Sequence, residues 1–139
     1  RVKSSSRIYI DDYAHHPEEL KATIASARAL YPGKKITGIF QPHLFSRTRD
    51  FAEGFARSLA MLDECILLEI YPAREKPIEG VTSSWLLDMV KIENKKLLTK
   101  QGVLDEINMQ PREVILTMGA GDIDTLVEPL EKIITAQTN

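Results

Sequence analysis

Cys65-Ile66-Leu67-Leu68-Glu69-Ile70 is apolar at every position except Glu69. A strand with one wet face alternates apolar and polar residues, whereas a run like this needs cover on both faces. Helices packed on either side of a parallel sheet supply that cover, so the stretch points to an α/β fold. The flanking sequence agrees in both directions. Upstream, Phe51, Phe55, Leu59 and Leu62 recur at helical spacing, with Asp50 and Glu53 placed to favour the helix dipole. Before them Ile36 to Phe40 reads as a strand, and Pro32-Gly33 stops an earlier helix that opens at Pro17 and carries Leu20, Ile24, Ala27 and Tyr31. Ile8-Tyr9-Ile10 is a short β-prone start. Downstream, Thr82, Ser83 and Ser84 offer caps for a helix through Trp85-Leu86-Leu87. Lys96 to Thr99 reads as a weak strand, Val103, Leu104 and Ile107 as a short helix, and Val114 to Met118 as a strand ending in Gly119-Ala120-Gly121. A closing helix carries Ile123, Leu126, Val127, Leu130 and Ile134, and Pro129 is expected to kink it. This β-α repetition predicts one three-layer domain, a mainly parallel sheet with helices on both faces.

The 139 residues suit a single domain, and 43% hydrophobic content suffices for one core. A net charge of −2 with 27% charged residues speaks against a nucleic-acid binder, which would show a basic face. No apolar run is long enough to cross a bilayer, and the amino terminus has no signal layout, so no membrane partner is expected. Arg1 to Ser6 is polar and reads either as a natural start or as a cut through a linker. One cysteine, Cys65, cannot form an internal disulfide, which suits a reducing cytoplasm, and within its apolar run it is expected to be inert.

Ligands of open α/β sheets bind beyond the carboxyl ends of the strands. That rule selects Asp11 to Pro17, Gln41 to Arg49, Tyr71 to Ser84 and Gly119 to Asp122. All three histidines, Arg47 and Arg49 and the glycine pair fall within these loops. The first reads Asp11-Asp12-Tyr13-Ala14-His15-His16-Pro17. Carboxylates and imidazoles are transition-metal ligands, they also bind organic ligands, and Asp11 or His16 could equally cap the helix at Pro17. Adjacent side chains diverge, so no metal site is expected there. In Gln41-Pro42-His43-Leu44-Phe45-Ser46-Arg47-Thr48-Arg49-Asp50, the guanidinium of Arg47 suits a carboxylate or phosphate. Arg49 has a surface partner in Asp50 or Glu53, and Ser46 or Thr48 is expected to cap the next helix. Gly119-Ala120-Gly121 lacks the third glycine of a dinucleotide fingerprint and the lysine of a phosphate loop, so a steric reason for a tight turn serves as well. No arrangement that would activate a nucleophile is readable, and no catalytic residue is assigned.

Together these strings resemble the third, Rossmann-like domain of the Mur ligase family, most closely its alanine-adding branch. The resemblance rests on Asp11 to Pro17, on Phe40-Gln41-Pro42-His43 through Ser46-Arg47-Thr48-Arg49-Asp50, on Glu69-Ile70-Tyr71-Pro72-Ala73 with Pro77-Ile78-Glu79-Gly80, and on Gly119-Ala120-Gly121, in family order along nearly the whole chain. It implies that residues 1–139 are a carboxy-terminal domain, with an amino-terminal uridine-nucleotide domain and a central ATPase domain not in this sequence. The implied reaction uses ATP and Mg2+ to phosphorylate the carboxylate of UDP-N-acetylmuramate. The amine of L-alanine then attacks the acyl phosphate. By the same resemblance Asp12 matches the aspartate that accepts hydrogen bonds from the ATP ribose. His15 and Arg47 match positions that hold the amino acid, and Tyr13, His43 and Ala120 match the wall of a methyl-sized pocket. Leu44 stands where several relatives carry arginine, so either Arg47 suffices for the carboxylate or another group makes a second contact. Arg74, Glu75 and Trp85 receive no role. The alternatives are the branch that recycles muropeptides by adding a tripeptide, which shares the Asp-Asp-aromatic-Ala-His-His-Pro string, and a stand-alone α/β ligand-binding module.

Overall fold

The computed structural model describes residues 2–3 and 7–137. Six strands form one sheet: β1 (Val2–Lys3), β2 (Ile8–Asp12), β3 (Ile36–Phe40), β4 (Glu64–Leu67), β5 (Lys95–Leu97) and β6 (Val114–Met118). Their spatial order is β1-β2-β6-β3-β4-β5. β1 runs antiparallel to β2, and every other neighbouring pair is parallel. The register levels the strand ends: Asp12 pairs with Met118, Met118 with Phe40, and Phe40 with Leu67. The loops that follow these four residues therefore leave from one row.

Strand alternation divides the core in two. Ile8, Ile36, Phe40, Cys65, Leu67, Val114, Leu116 and Met118 face α1 (Pro17–Leu30), α3 (Ala52–Leu59) and α4 (Ser83–Met89). Tyr9, Ile39, Ile66 and Ile115 face α5 (Lys100–Met109), a 3-10 helix (Asp122–Leu126) and α6 (Val127–Gln137). The all-apolar character of Ile66 and Leu67 is explained, since each side chain meets helices on its own face. Burial pushes the Cys65 thiol up to about 12, which leaves it inert at neutral pH.

The structure departs from the sequence reading at four places. The expected helix at Phe51 is two helices, α2 (Phe45–Asp50) and α3, broken at Phe51 (φ −116°, ψ 21°). The break puts Phe51 out of phase with Phe55 and Leu59, and its ring is 49% exposed. β4 stops at Leu67 instead of Ile70, because the Leu68 carbonyl accepts from the Ser83 hydroxyl at 2.5 Å and the chain then leaves the sheet. β5 covers Lys95–Leu97, not Lys96 to Thr99, since Thr99 caps α5 by accepting from the Gly102 amide at 2.9 Å. Pro129 does not kink the closing helix. The 3-10 turn ends at Leu126, and Pro129 falls in the first turn of α6, where no intrahelical N–H bond is needed. Thr82 caps α4 as expected, accepting from the Trp85 amide at 3.0 Å.

At the amino-terminal edge of the sheet, opposite the row of loops, Glu64 is buried and fully engaged. Arg112 donates to it twice, at 2.8 and 3.0 Å, Thr37 donates at 2.8 Å, and Lys96 lies at 3.1 Å. Although burial alone would raise it, these partners hold the Glu64 carboxyl down at about 2. No helix among the described residues is long and apolar enough to cross a membrane.

Candidate functional site

Asp11 and Asp12 end β2 and alternate in direction, so they meet different neighbours. Asp11 accepts the Thr117 hydroxyl proton at 2.7 Å, and Thr117 in turn lies 2.7 Å from the Tyr9 hydroxyl. A hydroxyl has one proton, so Tyr9 is the donor to Thr117. Asp11 is thus the outer end of a chain that satisfies a buried phenol, not a helix cap. Asp12 accepts the Ala14 amide through Oδ1 at 2.9 Å, the turn bond that short acidic side chains favour. His16 occupies the position before α1 with extended backbone, and the amides of His15 and His16 are satisfied by the Glu19 carboxylate at 3.1 and 3.0 Å.

The loop after β2 and the segment that follows β3 into α2 bring four of the expected residues into one chain of contacts. The Tyr13 and His15 rings lie 5.2 Å apart, those of His15 and His43 6.4 Å apart, and Arg47 donates to His43 Nδ1 at 2.9 Å. A guanidinium can only donate, so Nδ1 of His43 carries no proton and the ring is the neutral Nε2–H tautomer. Burial lowers the His43 pKa, and the Arg47 charge lowers it further, which keeps that acceptor available. His15 Nδ1 donates to the Tyr13 carbonyl at 2.9 Å, since a carbonyl can only accept. Tyr13 itself is 70% exposed. Arg49 pairs with Asp50 at 2.8 Å on the surface, as expected. Neither Ser46 nor Thr48 caps α2. The Ser46 hydroxyl donates to Glu75, and the Thr48 hydroxyl to the Leu44 carbonyl at 2.8 Å.

Ala120 joins the others only through intermediaries. Gly119 has φ +139°, and a Cβ at Gly121 would fall 2.5 Å from Gln41 Oε1 and 2.7 Å from Tyr71 Cβ. Steric demand therefore accounts for the glycine pair. Gln41 is the hub: buried at the end of β3, it donates to Asp122 at 2.8 Å and to the Glu69 carbonyl at 3.3 Å, and accepts the Ile123 amide at 2.8 Å. Asp122 also holds Lys100 at 2.9 Å. Sequence reading missed Gln41, although it lies within a quoted motif, because its partners are loops far off in the chain. It missed Tyr71 as well, whose ring stacks on His43 at 5.6 Å and 12°. An aromatic residue directly after the expected strand Cys65 to Ile70 was the available signal. A cleft of about 690 Å³ beside the cluster touches it through His16 and is walled by Arg49, Phe51, Trp85 and Met89; His15, His43 and Arg47 do not line it.

The contact chain offers one guanidinium, the neutral imidazole of His43 and the imidazole of His15, with the Asp12 carboxylate at the start of the same loop as His15. That set can hold a small zwitterion or a hydroxylated ligand, and it contains no activated nucleophile. Among the described residues no group of three His, Cys, Asp or Glu is placed to hold a metal ion. Comparison with known proteins agrees with the motif reading. Proteins called UDP-N-acetylmuramate–L-alanine ligase are 52% identical over 96% of the chain in Flavobacterium johnsoniae and 54% identical over 98% in Parabacteroides distasonis. The chain spans about 30% of the length of these relatives. A solved UDP-N-acetylmuramate–alanine ligase of Thermotoga maritima superposes with a TM-score of 0.65 at 25% identity, over 97% of this chain and 27% of that one. A murein peptide ligase of Psychrobacter arcticus, 17% identical over 95% of this chain and 28% of its own, shares the fold at a TM-score of 0.67. The family described as Mur ligase, glutamate ligase domain, matches residues 1–121, and with the motifs, the sheet order and the relatives in agreement, the chain belongs to the Mur ligase family.

Proposed function

We propose that this chain is the carboxy-terminal domain of a cytoplasmic, ATP-dependent ligase that joins L-alanine to UDP-N-acetylmuramate in peptidoglycan synthesis. The observation that carries the reading is Arg47 held against neutral His43, with His15 beside it, on a surface that other domains can close. In this reading Arg47 binds the alanine carboxylate. His15 and His43 flank the amino acid, and Tyr13 and Ala120 complete the pocket for its methyl group once the domains meet. Asp12 Oδ2, which has no partner among the described residues, accepts from the ATP ribose. The triphosphate and Mg2+ are assigned to a central domain outside this chain, and the uridine nucleotide to an amino-terminal one. What this domain contributes is positioning of an amine against an acyl phosphate, worth several kcal/mol of barrier in general, and exclusion of water on closure.

The test is steady-state kinetics on the full-length protein with ATP, UDP-N-acetylmuramate and L-alanine varied in turn. Arg47→Ala removes the charge-assisted partner of the carboxylate, a loss of about 2–4 kcal/mol, and should raise the KM for L-alanine roughly 30- to 1000-fold with that for ATP hardly changed. Arg47→Lys should recover part of the loss, because an ammonium keeps the charge without the planar fork. Normal alanine dependence in Arg47→Ala would place the carboxylate elsewhere. A preference for a preformed tripeptide over alanine would transfer the domain to the recycling branch.

A further inference from the structure

Glu75 stands in the loop after β4, and nothing in the chemistry above uses it. Its carboxylate reaches the first turn of α2, where one oxygen accepts the Ser46 amide at 3.0 Å and the other accepts the Ser46 hydroxyl. Glu75 is itself fixed, since its amide donates to the Pro72 carbonyl at 2.9 Å. The two loops are also stitched together by their backbones: Leu44 N–H donates to the Tyr71 carbonyl and Tyr71 N–H to the Pro42 carbonyl, each at 2.8 Å. The segment held this way has something to resist. Leu44 adopts φ +72°, a left-handed backbone that is unfavourable for a residue with a Cβ and persists only where surroundings enforce it. No side chain within α2 caps its amides, so the carboxylate that meets them comes from another loop. The Ser46 bonds keep the Glu75 carboxyl below its ordinary range, so it is ionised at neutral pH.

We propose that Glu75 is a positioning residue for the amino-acid site: it clamps the start of α2 in the strained geometry that sets Arg47 against His43. The proposal rests on the reading of Arg47 given above. Leu44 gives it weight, because position 44 itself supplies no arginine that could share the carboxylate with Arg47.

In the full-length protein, Glu75→Ala and Glu75→Gln should raise the KM for L-alanine about 5- to 50-fold, the size expected for a displaced binding group. The KM for ATP should stay within about twofold and kcat within about threefold. Glu75→Asp, which keeps the charge, should restore part of the alanine affinity. Amide hydrogen exchange should quicken across residues 44–48 in Glu75→Ala and stay unchanged in β3 and β4. The double variant Glu75→Ala with Arg47→Ala should have no higher alanine KM than Arg47→Ala alone, since the effect passes through Arg47. An unchanged alanine KM in Glu75→Ala, beside a raised one in Arg47→Ala, would overturn the clamp and leave the site reading intact. An equal loss for every substrate would also overturn it, marking general loop damage. Normal alanine dependence in Arg47→Ala would remove both readings together.

Discussion

A carboxylate that completes a fold and one free to meet a ligand can be neighbours in sequence, as Asp11 and Asp12 are. Asp11 accepts a hydrogen bond from the Thr117 hydroxyl, while Asp12 uses one oxygen on the Ala14 amide and its other oxygen has no partner among the described residues. Asparagine keeps one acceptor oxygen and replaces the other with an NH2 donor, so it can still serve the single bond of Asp11 but not both the Ala14 amide and a ribose hydroxyl at Asp12. In the full-length protein Asp12→Asn should therefore raise the KM for ATP about 10- to 100-fold, as loss of a charged hydrogen-bond partner does, with little change in the KM for alanine. Asp11→Asn should alter neither. Equal effects on ATP from the two variants would show that the ribose reading has the wrong aspartate. At this scale the sequence exposes residue types and spacing but not partners. That His15, His43 and Arg47 would come together was legible because unusual chemistry fell in loops chosen by a fold rule. Gln41 and Glu75 were not, because a glutamine or glutamate in a polar loop looks like ordinary surface until the chain folds and a distant amide arrives.

Among the connecting elements, Gly119-Ala120-Gly121 shows how tightly the loops are fitted. Gly121 has an ordinary backbone, so its requirement is space: a methyl group there would collide with Gln41 and Tyr71. Gly121→Ala should destabilise the domain by about 1–3 kcal/mol through overpacking and lower its melting temperature by about 3–10 °C. Differential scanning calorimetry on the 139-residue chain decides this, and an unchanged melting temperature would mean that the turn has slack. Elements with a clear local signal were readable, α1 by its helical period and β3 and β6 as short β-prone runs buried at every position. Their boundaries failed where a long-range contact intervened. Phe51 looked like part of the Phe55-Leu59 stripe because spacing carries no sign of a helical break, and β4 looked longer because Ser83, which takes the Leu68 carbonyl, comes fifteen residues later. Pro129 was misjudged for a different reason: the cost of a proline depends on where its helix begins.

For the molecule as a whole, one edge of the sheet carries the proposed chemistry and the other carries stability. Glu64 has its carboxyl at about 2, below its ordinary 4.5. Its contribution is complete above pH 4.5 and should be lost as the pH falls from there toward 2, a difference of about 3 kcal/mol. Glu64→Gln should remove most of it at pH 7 and flatten the acid limb, measured by urea unfolding at pH 7 and pH 3. Parallel pH profiles for the two proteins would sink this account. The sheet also has an end. β5 is three residues long, Lys95 Nζ donates to the Leu87 and Val90 carbonyls at 3.0 and 2.9 Å, and Lys96 is committed to Glu64. Unpaired strand edges are templates on which foreign chains can grow, and brevity and lysine are what discourage it. The rim that finishes this sheet thus governs how crowded copies treat one another: with no long, bare strand on offer there, the domain gives fibril growth no foothold along that side.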